Sequence, residues 1–268
     1  MRILNGSELA EFIKERQAHE VRSLRQSAGV APRLAIVVTI DHPAIDVYVR
    51  LKRRYGDDIG VAVDVHRVAQ TEALDLIKQL NADESVHGMI VQLPLEDPSQ
   101  TDEIVNAVAP AKDVDALGKD ATLDPATPLA IMWLLAGYNV ELRGKKIILV
   151  GRGKLVGAPL ERMLTASGHD VTIVDRSTPD AASVISGGDV IITATGSPGL
   201  VTSAMIRENA VVVDAGVAGE QGKTVGDLAD DVYERQDLVI TPRKGGVGPL
   251  TICALFDNVI RAARAAAK

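Results

Sequence analysis

The chain has 268 residues, of which 46% are hydrophobic and 24% are charged. That balance is typical of a soluble globular protein, and the length allows one large domain or two of ordinary size. The formal net charge of −7 argues against a general nucleic-acid or membrane-surface binder, because those partners attract basic faces.

Composition also argues against disulfides and metals. Cys253 is the only cysteine, which excludes an intrachain disulfide and a Cys-rich metal site. The five histidines have no metal-ligand spacing. The N-terminal residues lack the apolar run of a signal peptide, and no stretch approaches the ~20 apolar residues of a membrane span. We therefore expect a cytoplasmic protein that uses no metal ion.

Strand-like and helix-like segments alternate along the first part of the chain. An amphipathic helix is predicted over residues 7–28. The segments after it are, in order, the strand RLAIVVTI, the helix DVYVRLKRRYG, the strand VAVDVHRVA, the helix EALDLIKQLN, the strand GMIVQLPL and a helix near 101–109. Strands that alternate with helices predict βαβ units and a parallel sheet.

A second alternating series follows an interdomain segment rich in Asp, Pro and Ala, APAKDVDALGKDATLDPATP. A helix is predicted after Pro128. The predicted strands are KKIILVG, DVTIVD, DVIITAT, AVVVDAG and DLVITP, and a terminal helix is predicted over residues 250–267. This series predicts a second parallel sheet.

A glycine-rich turn follows the first strand of the second series. Its glycines are Gly151, Gly153 and Gly157, and a helix is predicted to start there. Glycines let the backbone approach a pyrophosphate, while the N–H groups of the helix start supply hydrogen bonds and a positive dipole end. An ordinary βα turn is the alternative, but this turn opens a five-strand series. We predict the α/β class, with two α/β domains of parallel sheet, the second a Rossmann-type dinucleotide-binding domain, and a cleft between them.

Three side chains bear on the choice of cofactor. Asp175 ends the second strand of this series, where an acid would bind a ribose 2′-hydroxyl and repel a 2′-phosphate. Arg152 in the turn and Arg176 directly after the acid are well placed to meet that phosphate. The signals oppose each other, and we predict NADP in preference to NAD.

The first series carries candidate reacting groups. Tyr48 and Lys52 are four residues apart and so share one face of a helix, although helical lysines usually lie in water. Gln92 stands at the carboxyl end of an apolar strand, where α/β sheets bind ligands. Asp115 follows shortly. An aromatic ring, an amine, an amide and a carboxylate would form a site if the fold brings them together.

The chain resembles the methylenetetrahydrofolate dehydrogenase/methenyltetrahydrofolate cyclohydrolase family along nearly its whole length. The resemblance is carried, in order, by YVRLK, GMIVQLPL, PAKDVD, PATP, VGRGKLVG, TATGSPG and KGGVGPLT. It implies a folate-binding catalytic domain over residues 1–117 and an NAD(P)-binding domain over 118–248. It also implies that a helix over 249–268 returns to the first domain, and that the protein is a homodimer built through the nucleotide domains.

The resemblance also implies a role for each reacting residue. The family uses the lysine that matches Lys52 as the acid and base of the cyclohydrolase step, and the glutamine that matches Gln92 to orient that lysine. The aspartate that matches Asp115 holds the pterin, and the tyrosine that matches Tyr48 lies along the aminobenzoate ring. We therefore expect the Gln92 side chain to contact Lys52.

Further binding residues follow from the same motifs. The predicted cofactor site includes Thr195 and Gly196. The predicted folate-binding residues outside the reacting group are Leu93, Pro94, Gly245, Gly246, Val247, Gly248 and Pro249.

The predicted activity is oxidation of methylene-tetrahydrofolate by NADP and hydrolysis of the methenyl product to formyl-tetrahydrofolate. These reactions belong to one-carbon metabolism and purine biosynthesis. One alternative is a monofunctional NAD-dependent dehydrogenase, which Asp175 favours. Another is a non-catalytic nucleotide-binding protein, which would need no lysine where a proton must move.

Overall fold

A computed structural model describes residues 1–220 and 223–267 of the chain. The chain divides into two compact units, each with its own parallel sheet. The six-stranded unit joins Met1–Ala10 to Thr127–Thr251, and the three-stranded unit joins Glu11–Ala126 to Ile252–Lys268. The domain boundaries predicted after residues 117 and 248 stay a prediction.

Strands and helices alternate in the described residues. In chain order the strands are β1 (Arg2–Ile3), β2 (Arg33–Val38), β3 (Ala62–Arg67), β4 (Gly88–Val91), β5 (Ile147–Val150), β6 (Val171–Val174), β7 (Val190–Thr193), β8 (Val211–Asp214), β9 (Ala218–Glu220), β10 (Lys223–Val225) and β11 (Val239–Ile240). The α-helices are α1 (Gly6–Ala28), α2 (Pro43–Ile59), α3 (Ala73–Ala82), α4 (Thr101–Asn106), α5 (Ala126–Gly137), α6 (Gly157–Ala166), α7 (Ala181–Ser186) and α8 (Val247–Ala266). Short 3-10 helices occupy Gln70–Glu72, Pro98–Gln100, Ser203–Met205 and Asp230–Glu234.

The sheet of the three-stranded unit has the order β3-β2-β4, and both pairings are parallel. β4 is buried at every residue, and β2 is buried at every residue after Arg33. Parallel strands covered on both faces need such continuous apolar runs, since neither face meets water. The α/β class predicted from the alternating segments is confirmed.

The sheet of the six-stranded unit has the order β1-β11-β8-β7-β5-β6, again with parallel pairings. β5 and β7 are buried at every residue. The chain moves to one side of β5 for β6 and to the other side for β7. Open α/β sheets bind ligands beyond the carboxyl ends of the strands at such a switch point.

The sequence analysis missed two features of the six-stranded unit, β1 and the β9–β10 hairpin. β1 has two residues, too few to show a periodic pattern. It is held by distant backbone groups, because the N–H groups of Arg2 and Leu4 donate to the carbonyls of Leu238 at 2.9 Å and Ile240 at 2.8 Å. These bonds place the first residues of the chain in the six-stranded unit.

The segment before Asp115 extends the three-stranded sheet locally. The N–H of Met89 in β4 donates to the carbonyl of Lys112 at 2.7 Å, and Met89 and Asp113 form an isolated parallel bridge. This pairing carries the chain alongside β4 in the same direction. Asp115 therefore follows the sheet close to the carboxyl end of β4.

A buried amide in α8 holds the two ends of the segment that follows. Asn258 is fully buried, and its Nδ2 donates to the carbonyls of Val114 at 2.9 Å and Asp124 at 2.8 Å. A buried carbonyl such as that of Val114 needs such a partner, because no water reaches it. Asn258 thus fixes the segment that contains Asp115.

We expect Asn258→Ala to lower the free energy of unfolding by about 2 kcal/mol, since it removes the donor from the buried carbonyl of Val114 and the half-buried carbonyl of Asp124. Urea unfolding followed by circular dichroism measures the change. Asn106→Ala is the matched control, because Asn106 is exposed and its side chain accepts a single N–H, from Lys119. Equal losses in the two variants would contradict the role of Asn258.

Candidate active site

The centre of the site is a short hydrogen bond between a lysine and an amide. The Nζ of Lys52 on α2 donates to the Oε1 of Gln92 at 2.6 Å. The backbone N–H of Gln92 donates to the carbonyl of Val37 at 2.9 Å, so the residue continues the pairing of β4 with β2. Its Nε2 donates to the carbonyl of Leu93 at 3.1 Å, which turns Oε1 toward the lysine. The predicted contact between Lys52 and Gln92 is confirmed.

A carboxylate acts on the same lysine. Burial lowers the pKa of Lys52, and the negative charge of Asp115 opposes that shift. Burial likewise raises the pKa of Asp115, while Lys52 lowers it and Asp113 raises it. Lys52, Gln92 and Asp115 therefore lie together in the three-stranded unit, as predicted. An amine in this position loses part of its preference for being charged.

Asp113, which the sequence analysis did not single out, shapes the turn that carries Asp115. Its side chain is 4% exposed and accepts the N–H of Gly118 at 2.8 Å. A Cβ at Gly118 would lie 3.0 Å from that carboxylate oxygen, so the turn closes tightly on it. An acid followed five residues later by glycine, as in DVDALG, is the available signal, and it is too common to identify a turn by itself.

The other predicted residues of this unit lie next to the pair. Tyr48 precedes Lys52 by about one turn on the same face of α2 and is 40% exposed. Leu93 and Pro94 follow Gln92 directly. Leu93 packs against the core of the unit, and Pro94 is exposed.

In the six-stranded unit, the glycine turn after β5 lies against the start of α6. Gly151 has φ +100°, and a Cβ there would lie 2.8 Å from the carbonyl oxygen of Ala194. A Cβ at Gly157 would overlap the carbonyl oxygen of Gly151. These two glycines are required by the fold. Gly153 differs, because among the described residues no atom outside its two chain neighbours lies within 4 Å of the position of a Cβ there. Gly153 is exposed, so the space beside it is open.

The charged residues of the predicted cofactor site are exposed, one in the glycine turn and two directly after β6. The Nε of Arg152 donates to Glu161 at 2.7 Å. The Oδ1 of Asp175 accepts the N–H of Ser177 at 2.8 Å and its hydroxyl at 2.6 Å, and these bonds lower the pKa of Asp175. Arg176 is exposed. A negative charge at Asp175 favours a 2′-hydroxyl, whereas Arg152 and Arg176 favour a 2′-phosphate, so the opposition seen in the sequence persists.

The remaining predicted residues also lie in the six-stranded unit. Gly196 has φ +67°, and the N–H of Thr195 donates to a buried carboxylate, Asp227. The predicted folate-binding run Gly245–Pro249 enters α8. Gly246 is buried there, and a Cβ at Gly6 would overlap its carbonyl oxygen. Gly246 therefore packs its backbone directly against the backbone of Gly6.

Residues 1–220 and 223–267 contain neither a metal-binding cluster nor a membrane-spanning helix. In that part of the chain no three His, Cys, Asp or Glu side chains form a group that could hold a metal ion. No helix within it is both long and apolar enough to cross a membrane.

Two family models cover most of the chain. The catalytic domain of tetrahydrofolate dehydrogenase/cyclohydrolase matches residues 4–115, and the NAD(P)-binding domain of the same family matches residues 125–267. The curated Bifunctional protein FolD of Moorella thermoacetica is 39% identical over 277 residues, covering 98% of each chain. The protein of the same name from Nautilia profundicola is 35% identical and covers 100% of this chain and 99% of its own.

Solved structures agree with these matches. A crystal structure of the FolD methylenetetrahydrofolate dehydrogenase/cyclohydrolase of Campylobacter jejuni has a TM-score of 0.92 and 35% identity, and the match covers 99% of each chain. A FolD structure from Trypanosoma brucei, complexed with NADP cofactor and inhibitor, has a TM-score of 0.91 and 29% identity, with 98% of this chain and 97% of that chain covered.

We expect the Lys52 amine to titrate below the ordinary lysine value of 10.5, and to titrate still lower in Asp115→Asn. The sign follows from the charges, because burial lowers the pKa and Asp115 partly restores it. Competitive acylation across pH, read by mass spectrometry, measures both values. Lys78, exposed on α3, is the internal reference. An upward shift in Asp115→Asn would contradict this electrostatic account.

Proposed function

We propose a residue-level mechanism for this chain, which belongs to the tetrahydrofolate dehydrogenase/cyclohydrolase family. The chain is a bifunctional enzyme that oxidises methylene-tetrahydrofolate to the methenyl form and hydrolyses that form to formyl-tetrahydrofolate. The predicted family and both predicted activities are confirmed. The proposal is that Lys52 supplies the acid and base of the hydrolysis. The 2.6 Å bond from its Nζ to Gln92 Oε1 is the observation that carries it.

The hydrolysis needs a group that takes a proton and later returns one. The methenyl carbon is part of a cation, and water that attacks it must lose a proton as the C–O bond forms. A neutral Lys52 amine accepts that proton and becomes an ammonium. The ammonium then returns a proton to the folate ring nitrogen as the C–N bond breaks. The hydroxyl proton of the hydrated carbon passes to the freed amine, and from it to water, as the C=O bond of the formyl group forms. Burial, which lowers the pKa of Lys52, supplies the neutral form needed for the first step.

Gln92 suits this cycle because its side chain is polar without being charged. Its Oε1 accepts an N–H from the lysine in either protonation state, so the nitrogen keeps its place while its charge changes. A carboxylate at the same point would hold the ammonium and stabilise the cationic substrate in its ground state. Catalysis requires the transition state to be favoured instead. We therefore assign Gln92 the orientation of Lys52.

The remaining residues of the three-stranded unit are assigned to folate binding. The Asp115 carboxylate can accept two N–H groups from the aminopyrimidine edge of the pterin. The ring of Tyr48, 40% exposed beside Lys52, offers a surface for the aminobenzoate ring. Leu93 and Pro94 supply apolar contacts. In the six-stranded unit, the run Gly245–Pro249 is assigned to folate binding through Gly248, which is exposed and has no side chain to screen its backbone.

The hydride step depends on position more than on a protein base. NADP, when bound, accepts the hydride of the methylene bridge. The residues fit a dinucleotide, since the open space at Gly153 lies in the turn that leads into α6, and the N–H groups at a helix start attract a pyrophosphate. The residues that would contact the dinucleotide through their backbone are Gly151, Gly153, Gly157, Thr195 and Gly196.

The choice of NADP over NAD is part of the proposal. Arg152 and Arg176 are positioned near the end of β6, and the Trypanosoma brucei relative binds NADP. Asp175 is the opposing feature. We also propose a cytoplasmic homodimer formed through the six-stranded unit. β6, the edge strand of that sheet, has three half-buried residues among its four, which is consistent with pairing to a second copy.

We expect Lys52→Met to lower methenyl hydrolysis by at least about 100-fold, the usual worth of an acid or base. Hydride transfer and cofactor binding should stay close to normal, because neither uses the amine. The absorbance of methenyl-tetrahydrofolate follows both steps, its formation and its decay. Lys78→Met, at an exposed site on α3, controls for loss of a positive charge. Unchanged decay in Lys52→Met would refute the assigned role.

The cofactor assignment predicts that hydride transfer is faster with NADP than with NAD. Asp175→Asn should widen that preference, because it removes a charge that repels a 2′-phosphate. Arg176→Ala should narrow it. Comparing kcat/KM for the two cofactors in the three proteins measures the effect. A preference of the unaltered protein for NAD beyond about tenfold, roughly 1.4 kcal/mol, would overturn the choice.

A further inference from the structure

We infer that Asp227, a residue outside the assigned sites, is the positioning residue for one wall of the cofactor site. That wall is the cofactor loop, defined here as Thr195–Gly199, which follows β7. The inference rests on the proposed function, because it takes the carboxyl ends of β5 and β7 as the place where the dinucleotide binds.

The Asp227 carboxylate binds the cofactor loop through two hydrogen bonds. Its side chain is fully buried. Its Oδ2 accepts the N–H of Thr195 at 2.7 Å, and its Oδ1 accepts the N–H of Ser197 at 2.8 Å. The residue between them, Gly196, has φ +67°, a conformation that favours glycine. One carboxylate with two acceptor oxygens therefore fixes a three-residue turn, which a neutral amide with a single acceptor oxygen cannot do.

A second acid holds Asp227 in place. The N–H groups of Asp227 and Leu228 donate to the Asp214 carboxylate at 3.1 Å and 3.2 Å. Asp214 ends β8, and it also accepts the Thr193 hydroxyl at the end of β7 at 3.0 Å. A Cβ at Gly216 would overlap the Asp227 carboxyl group. The clamp, defined here as the Asp227 carboxylate and its two bonds to the cofactor loop, is therefore anchored at the ends of β7 and β8.

The clamped loop adjoins the glycine turn. The N–H of Ala194 donates to the carbonyl of Val150 at 2.8 Å, which joins the ends of β7 and β5. A Cβ at Gly151 would lie 2.9 Å from the Cγ2 of Thr195. A shift of the cofactor loop would therefore displace the turn assigned to the pyrophosphate. Asp227 acts on the cofactor through Thr195 and does not need to touch it.

The clamp also indicates which part of the cofactor the loop faces. The N–H groups of Thr195 and Ser197 are turned in to Asp227 and are not available to a phosphate. The buried carboxylate behind them adds a negative charge that disfavours a phosphate nearby. We therefore assign the loop to an uncharged portion of the dinucleotide and leave the phosphates to the turn at Gly151–Gly157.

The test measures cofactor binding apart from turnover. In Asp227→Asn we expect the Kd for NADPH, followed by its fluorescence, to rise about tenfold, since a buried bond to a charged group is lost. Hydrogen exchange at the amides of Thr195 and Ser197 should accelerate, while the amides of β5 keep their protection. The KM for NADP should rise more than kcat falls. Hydrolysis of added methenyl-tetrahydrofolate, assigned to the other unit, should be unchanged.

Two further variants separate position from stability. Gly216→Ala keeps the Asp227 charge but displaces the carboxyl group, so it should weaken NADPH binding in the same way. Asp231→Asn is the matched control, because Asp231 is exposed and accepts the N–H and hydroxyl of Ser203, away from the cofactor loop. It should bind NADPH normally.

Some results would overturn the inference. Unchanged NADPH binding in Asp227→Asn would do so, and so would loss of methenyl hydrolysis in both Asp227→Asn and Gly216→Ala, since Asp227 would then serve folding. The proposed function fails separately. If Lys52→Met hydrolyses the methenyl form normally while Asp227→Asn binds NADPH weakly, the catalytic assignment is wrong and the clamp stands.

Discussion

The chemistry assigned to this enzyme depends on one amine held against a neutral amide. A lysine in water is almost fully charged and cannot act as a base at neutral pH. Burial shifts Lys52 toward its neutral form, and Asp115 limits that shift. Gln92 fixes the nitrogen without adding to either tendency. The amine can therefore change charge during a catalytic cycle while its position stays constant, which an ion pair in the same place would prevent.

The fold brings Lys52, Gln92 and Asp115 together through the buried strand β4 and through the side-chain amide of Asn258. β4 is buried throughout and ends at Val91, so Gln92 leaves the sheet at the point where ligands bind. The pairing of Met89 with the 112–114 segment brings Asp115 to the same end. Asn258, far along the chain in α8, then holds the carbonyl of Val114. The position of the carboxylate is thus set by residues that have no part in the chemistry.

The sequence predicts features that depend on neighbouring residues, and it does not predict contacts between distant ones. Apolar runs and glycines are local signals, so the alternating strands and the turn at Gly151–Gly157 could be read directly. The contact between Lys52 and Gln92 joins residues 40 positions apart, and it was expected only because the motifs resemble a known family. β1 was missed because its partner, β11, lies more than 200 residues away. Asn258 and Asp227 were missed for the same physical reason, since only the folded chain gives their side chains partners.

The two units share one structural device, a buried acid that gathers the N–H groups of a loop beyond a strand. Asp113 does this for the turn that carries Asp115, and Asp227 does it for the loop at Thr195. Burial raises the pKa of both acids. A carboxyl group whose folded-state pKa is raised contributes its full stability only at low pH and loses it as pH rises through that pKa. Each acid therefore contributes less to the stability of the fold once the pH has risen through that pKa. The ionised form of each acid is thus the less stabilising one, and yet a glycine packs directly against each carboxyl group. The accuracy that each acid gives to a binding loop accounts for its place, since both loops adjoin assigned ligand sites.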